Sequence, residues 1–228
     1  MSAHPTGLRL KVCGMREAAN IAALATLEPD FLGFIFYPKS SRFAGAHLTP
    51  ESLAHLPASI RKVGVFVDAP VADILARTTE LGLNMVQLHG AETPAECQAL
   101  KAVGLTVIKA IAVGEQLDQT ALLPYIGHVD YFLFDTAGSQ PGGNGTAFNW
   151  ALLEQYNLPV PYFLAGGLEL AQADALRNLR LPGLFALDLN SKFELAPGLK
   201  DVAKLRQMFT TIRSAFPAGT ISSQTKSE

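Results

Sequence analysis

The chain has 228 residues, 49% of them apolar and 17% charged, which excludes an intrinsically disordered protein. Eighteen Lys and Arg against 20 Asp and Glu leave a formal charge of −2, so no basic excess exists to capture a nucleic-acid backbone. Two cysteines, Cys13 and Cys97, are too few for a disulfide framework or a structural zinc site, and a reducing cytoplasm is the expected compartment.

Residues 1–7 lack the basic and apolar blocks of a signal peptide, and no apolar run is long enough to span a bilayer. Small polar residues without periodicity fill 217–228, which reads as a flexible tail after a single domain over 1–216.

In chain order, short apolar runs fall at 8–12, 31–36, 62–67, 85–88, 107–111, 131–134, 162–164 and 184–187. Most are apolar throughout rather than alternating, as in parallel strands covered on both faces. Helical patterns follow them. The segment 16–27 carries an apolar face and stops before Pro29, and 49–55 follows the second run. Pro70 suits the first turn of a helix through Leu81. Thr93, Pro94 and Glu96 form a capping box, with Gly104 beyond the helix end. Further helices are expected at 116–124, 149–155, 170–179 and 200–214.

Eight strand–helix units of about 28 residues each predict a closed (β/α)8 barrel. The competing open doubly wound sheet lacks a G-x-G-x-x-G after its first strand.

A barrel of this kind carries its chemistry where the strands end. Cys13 follows the first run. By itself it suits a buried packing residue, or a thiol activated by a helix N-terminus. The second loop, from Tyr37 to Arg42, holds two cations and two hydroxyls, and Arg42 could grip a carboxylate with two hydrogen bonds. His89 follows the fourth run, preceded by Gln87, and Asp135 follows the sixth. The Gly-rich stretch 138–146 suits a lid but lacks the Gly-Lys-Ser/Thr ending of a P-loop. Gly166 and Gly167 after the seventh run, with Asp188, Asn190, Ser191 and Lys192 after the eighth, suit a phosphate cup. No His, Cys, Asp and Glu cluster has metal-ligand spacing, and no G-x-S-x-G is present.

Taken together, Lys11-Val12-Cys13-Gly14-Met15, Pro38-Lys39-Ser40-Ser41-Arg42, Val86-Gln87-Leu88-His89-Gly90, Phe134-Asp135, Leu164-Ala165-Gly166-Gly167-Leu168 and Pro197-Gly198-Leu199-Lys200-Asp201 resemble the phosphoribosylanthranilate isomerase family of tryptophan biosynthesis along nearly the whole chain. The resemblance implies a (β/α)8 enzyme without metal or cofactor, acting on a phosphorylated small molecule by an Amadori rearrangement. It implies Asp135 as general acid, Cys13 as general base and Arg42 on the anthranilate carboxylate. His89 and Asp188 match supporting polar positions, while Gly166, Gly167, Asn190, Ser191 and Lys192 match the phosphate site.

The chain departs from the family pattern at Asn144 and Asn149, and at Lys192, where the family has glycine. A lysine there questions the backbone of the cup and adds charge beside it. A related barrel isomerase on another phosphorylated sugar amine, or a non-catalytic sugar-phosphate binder, fits the same residues less fully. The sequence fits a monomer or a homodimer.

Overall fold

The computed structural model describes residues 7–136 and 149–214. Eight strands follow one another around a ring: β1 (Arg9–Val12), β2 (Phe31–Ile35), β3 (Arg61–Phe66), β4 (Met85–Leu88), β5 (Thr106–Val113), β6 (Tyr131–Thr136), β7 (Tyr162–Leu164) and β8 (Leu184–Leu189). Neighbours pair in parallel, and β8 pairs back onto β1 with Lys11 opposite Asp188, so the barrel closes.

Closure explains the runs. One set of alternating residues, among them Leu10, Leu32, Phe34, Val86, Phe132, Phe134 and Leu187, packs outward in the core shared with the helices. The other set, Phe31, Val63, Met85, Ile108, Leu133, Phe163 and Ala186, forms a separate cluster inside the ring. Both faces are dry, so the strands read as apolar without alternation. Phe31, Tyr131, Phe163 and Phe185 lock the floor through ring contacts of 4.5–6.2 Å.

The outer layer holds α1 (Ala18–Ala25), α2 (Pro50–Ala54), α3 (Val71–Leu81), α4 (Pro94–Ala102), α5 (Ala173–Asn178) and α6 (Val202–Arg213). The capping box of α4 forms as read: the Thr93 N–H donates to Glu96 Oε2 at 2.7 Å, and Thr93 Oγ1 accepts the Glu96 N–H at 3.3 Å. Gly82 ends α3 with φ 58°, a left-handed conformation that favours glycine.

The expectation of eight α-helices is corrected in three places. Only a 3-10 turn, Thr120–Tyr125, lies between β5 and β6. Pro124 sits inside it and cannot donate to an α-helical ladder. Before β7 the described residues hold the 3-10 turn Trp150–Leu153, with the Asn149 side chain accepting the Ala151 N–H at 3.2 Å. After β8 comes the 3-10 turn Ser191–Phe193 and an unforeseen hairpin, β9 (Glu194–Ala196) with β10 (Leu199–Lys200). Lys200, expected to open the last helix, therefore lies in β10. Asp201 caps α6 instead, its Oδ1 accepting the Lys204 N–H at 2.9 Å.

The expected lid at 138–146, including Asn144, and the tail at 217–228 lie outside the described residues. Among the described residues no helix is long and apolar enough to cross a membrane.

Candidate active site

At the strand C-termini a pocket of about 730 Å3, counted out to solvent, opens above the apolar floor. Cys13, Arg42, His89, Asp135, Gly166, Gly167, Asp188, Asn190 and Ser191 all line it, joined by Gln87, Tyr37 and Ser40. The sequence-predicted residues thus converge, with one exception. Lys192 is not among the lining residues. The turn that carries it is anchored by the fully buried Phe193, and the Lys192 carbonyl accepts a hydrogen bond from Lys204 Nζ at 2.6 Å. Lys192 also lacks a positive φ, so replacing a glycine there imposes no backbone strain.

Beneath the pocket lies a lysine to which the sequence pattern assigned no role. Lys11 is fully buried inside the ring. Its ammonium donates to Asp188 Oδ2 and to Gln87 Oε1, both at 2.8 Å. Burial works to discharge it, but Asp188 and Cys13 hold its pKa above the usual value. A charge can persist there only because it is paired and hydrogen-bonded.

Cys13 is 3% exposed at the end of β1. Its sulfur occupies the space above Gly33, where an added Cβ would meet Sγ at 2.7 Å. Burial pushes the thiol above its ordinary value, while Lys11 and Lys200 pull it down and Asp188 opposes them. The expected activation by a helix N-terminus is corrected. The chain does not turn helical until Ala18, and the positive charge acting on the sulfur comes from two buried lysines.

Asp135 stands at the C-terminal part of β6. Burial, then the neighbouring Asp188, raises its carboxyl to about 6, against a hydrogen bond from the Thr136 N–H and attraction to Lys11. The His89 imidazole Nε2 lies 3.7 Å from its Oδ2. Burial and the charges of Lys11 and Lys109 lower His89 to about 4, leaving it neutral.

Arg42 forms a second cluster on the rim. Its Nε donates to Glu194 Oε1 and Oε2 at 2.9 and 3.0 Å, and its Nη2 donates to Oε2 at 2.7 Å. Lys200 Nζ joins Glu194 Oε1 and Asn190 Oδ1, both at 2.7 Å. The β9–β10 hairpin thus supplies both groups that fix the arginine side. Gly14 makes room for it with φ 79°, since a Cβ there would meet Arg42 Cδ and Asn190 Oδ1 at 2.8 Å. Across the pocket, Gly166 and Gly167 have φ 87° and 68°, and a side chain on Gly166 would collide with Thr136. Their open backbone beside Asn190 and Ser191 can receive an anion.

The arrangement offers a buried thiol near two ammonium groups, a carboxylic acid titrating near neutrality, an arginine and an amide-rich cup. Among the described residues no group of three or more His, Cys, Asp and Glu is placed to hold a metal ion.

Residues 10–211 match the family model for N-(5'phosphoribosyl)anthranilate (PRA) isomerase. An N-(5'-phosphoribosyl)anthranilate isomerase from Phocaeicola vulgatus is 42% identical over 204 residues, covering 90% of this chain and 97% of the relative. The crystal structure of phosphoribosyl anthranilate isomerase from Thermotoga maritima superposes with a TM-score of 0.78 at 31% identity, covering 90% of this chain and 98% of that one. A phosphoribosyl anthranilate isomerase solved in complex with reduced 1-(o-carboxyphenylamino)-1-deoxyribulose 5-phosphate superposes with a TM-score of 0.73 at 27% identity, with the same coverage.

Proposed function

The chain belongs to the N-(5'-phosphoribosyl)anthranilate isomerase family, and from that premise we propose that it isomerises N-(5'-phosphoribosyl)anthranilate with Asp135 as acid and Cys13 as base. The product is 1-(2-carboxyphenylamino)-1-deoxyribulose 5-phosphate, and the step belongs to tryptophan biosynthesis. The observation that carries the role assignment is the pairing of two groups of opposite duty in one pocket, a part-buried carboxyl raised to about 6 and a buried thiol beside Lys11 and Lys200.

The chemistry proceeds by moving one proton at each of two sites. Protonated Asp135 gives its proton to the furanose ring oxygen. The C1–O bond breaks, its electrons stay on oxygen, and the amine lone pair forms an iminium to C1. The Cys13 thiolate then takes the proton from C2, and those electrons neutralise the iminium as an enolamine. Tautomerisation to the ketone, with return of the protons, completes an isomerisation without net gain or loss of atoms. Burial favours the neutral acid; it also raises the Cys13 thiol, and Lys11 and Lys200 offset part of that in favour of the charged base. Positioning both against one bound sugar supplies the rest.

Arg42 would hold the anthranilate carboxylate through Nη1 and the second N–H of Nη2, since Glu194 takes Nε and one N–H of Nη2. Gly166, Gly167, Asn190 and Ser191 would hold the phosphate, with Asp188 and His89 lining the sugar between. A single barrel domain over 1–216 with a tail at 217–228, working in the cytoplasm, completes the proposal; the closed order of eight strands supports its first part.

The test is direct. Purified protein is incubated, without added metal, with freshly prepared phosphoribosylanthranilate, and substrate loss is followed against spontaneous breakdown. Turnover above that background is expected. Its absence overturns the reading.

A further inference from the structure

We propose that Gln87 is a positioning residue that sets the tautomer of His89, so that the imidazole presents Nε2–H, not a lone pair, to the Asp135 carboxylate. The inference begins at Lys11. An ammonium has donors only, so the end of the Gln87 amide 2.8 Å from Lys11 Nζ must be its carbonyl oxygen. The orientation of the amide, often ambiguous between oxygen and nitrogen, is settled here by that chemistry. Its NH2 end then points the other way and lies 2.7 Å from His89 Nδ1. A donor at that distance requires Nδ1 to accept, and in a neutral imidazole the proton must then sit on Nε2.

Each link is held rigidly. Gln87 and His89 are two residues apart and line the same pocket, and Gln87 is 1% exposed. Lys11 is itself locked to Asp188 across the β1–β8 pairing. A chain of fixed polarity therefore runs from Asp188 through Lys11, Gln87 and His89 to Asp135. The last gap, 3.7 Å from Nε2 to Oδ2, is too long for a hydrogen bond but spans one after a small approach. The charged groups facing the imidazole are Lys11, Lys109 and Asp135.

The consequence for the reaction rests on the function proposed above. Once Asp135 has given its proton to the sugar, a part-buried carboxylate remains close to Asp188. A donor on Nε2 stabilises it, whereas the opposite tautomer would aim a lone pair at the new charge. His89 keeps its own proton throughout, so no further transfer is required.

The experiment reads the tautomer without needing turnover. The full chain is labelled with 15N-histidine, and the His89 ring signals are assigned by their loss in His89→Gln. Wild-type His89 is expected to show Nε2 protonated and Nδ1 bare at neutral pH. Gln87→Leu should shift it to a mixture of tautomers. Gln87→Glu keeps an acceptor for Lys11, and should move the proton onto Nδ1. In the same variants kcat should fall about tenfold while KM changes little, and His89→Gln should lose a similar factor. A bare Nε2 in the wild type, or the same tautomer in both Gln87 variants, overturns the proposal. Failure of wild-type turnover would overturn the isomerase reading and leave the tautomer result standing.

Discussion

Arg42 is held by Glu194 through three contacts of 2.7–3.0 Å, although the two residues lie 152 positions apart. The arginine that sequence motifs mark as a ligand is thus already committed along one edge before any ligand arrives. Pre-orientation of this kind lowers the ordering cost of binding. In Glu194→Gln one charge-assisted partner becomes a neutral amide and Lys200 loses its carboxylate. KM is expected to rise about tenfold with kcat within a factor of about two, given the worth of such a hydrogen bond. Steady-state kinetics check this, and an equal loss in kcat would place Glu194 in the chemical step instead.

Cys13→Ser and Asp135→Asn are each expected to lower kcat at least about 10²-fold, the usual scale of acid–base assistance. The ionisations also fix the shape of the pH profile. Below about 6 Asp135 is already protonated, so kcat/KM rises with the thiolate fraction alone. Above about 6 each gain in thiolate is matched by a loss of protonated acid, and the profile levels until Cys13 titrates above its ordinary value. A profile that climbs through pH 6 without a break would remove Asp135 from the acid role.

Stability should move in the opposite sense to activity at the same residue. Asp135 has a raised carboxyl, so the folded state binds more protons than the unfolded state between its ordinary value and about 6. The destabilisation from ionising it is absent below the unfolded value, grows as pH rises, and is complete above about 6. Asp135→Asn is therefore expected to be more stable than wild type at pH 8, by about 3 kcal/mol, with the gain gone near pH 3. Urea melts at the two pH values measure it, and a destabilised variant at pH 8 contradicts the sign.

The sequence displayed the barrel more plainly than the machinery within it. Eight apolar runs at even spacing follow from strands dry on both faces, so the ring was legible. The 3-10 turns were not, because Pro124 reads as a helix end when it sits inside a tighter turn. Cys13, Asp135, Arg42 and the glycines were visible as odd residues at strand ends. Lys11 was hidden inside a run read as apolar, yet a charge in such a run must have a buried partner. That demand could have pointed to Asp188. Glu194 and Lys200 gave no such signal, since a hairpin after the last strand has no place in the repeating pattern.

Gly33 limits the base sterically. Gly33→Ala would press a methyl against Cys13 Sγ at 2.7 Å, and against the Cys13 backbone at 3.2 Å. We expect kcat/KM to fall about tenfold or more, with about 1–3 kcal/mol lost in stability, as for an overpacked core. Kinetics at matched folded fraction separate the two effects.

Lys192→Gly is expected to leave KM within about twofold, since the side chain does not line the pocket and the lysine backbone is unstrained. A several-fold increase in KM would return Lys192 to the phosphate site.

The pair Lys11–Asp188 joins the first strand to the last across 177 residues. During synthesis the lysine emerges early, and its counter-ion is among the last parts of the barrel to be made. A growing chain of seven strands would have to bury an ammonium lacking its carboxylate, at a cost of several kcal/mol, or leave the sheet unsealed. Loop closure over that length adds an entropic barrier before any contact at the seam can repay it. Sealing the ring and pairing this charge are therefore expected to coincide late, so that a nascent chain gains its complete site only as its fold closes.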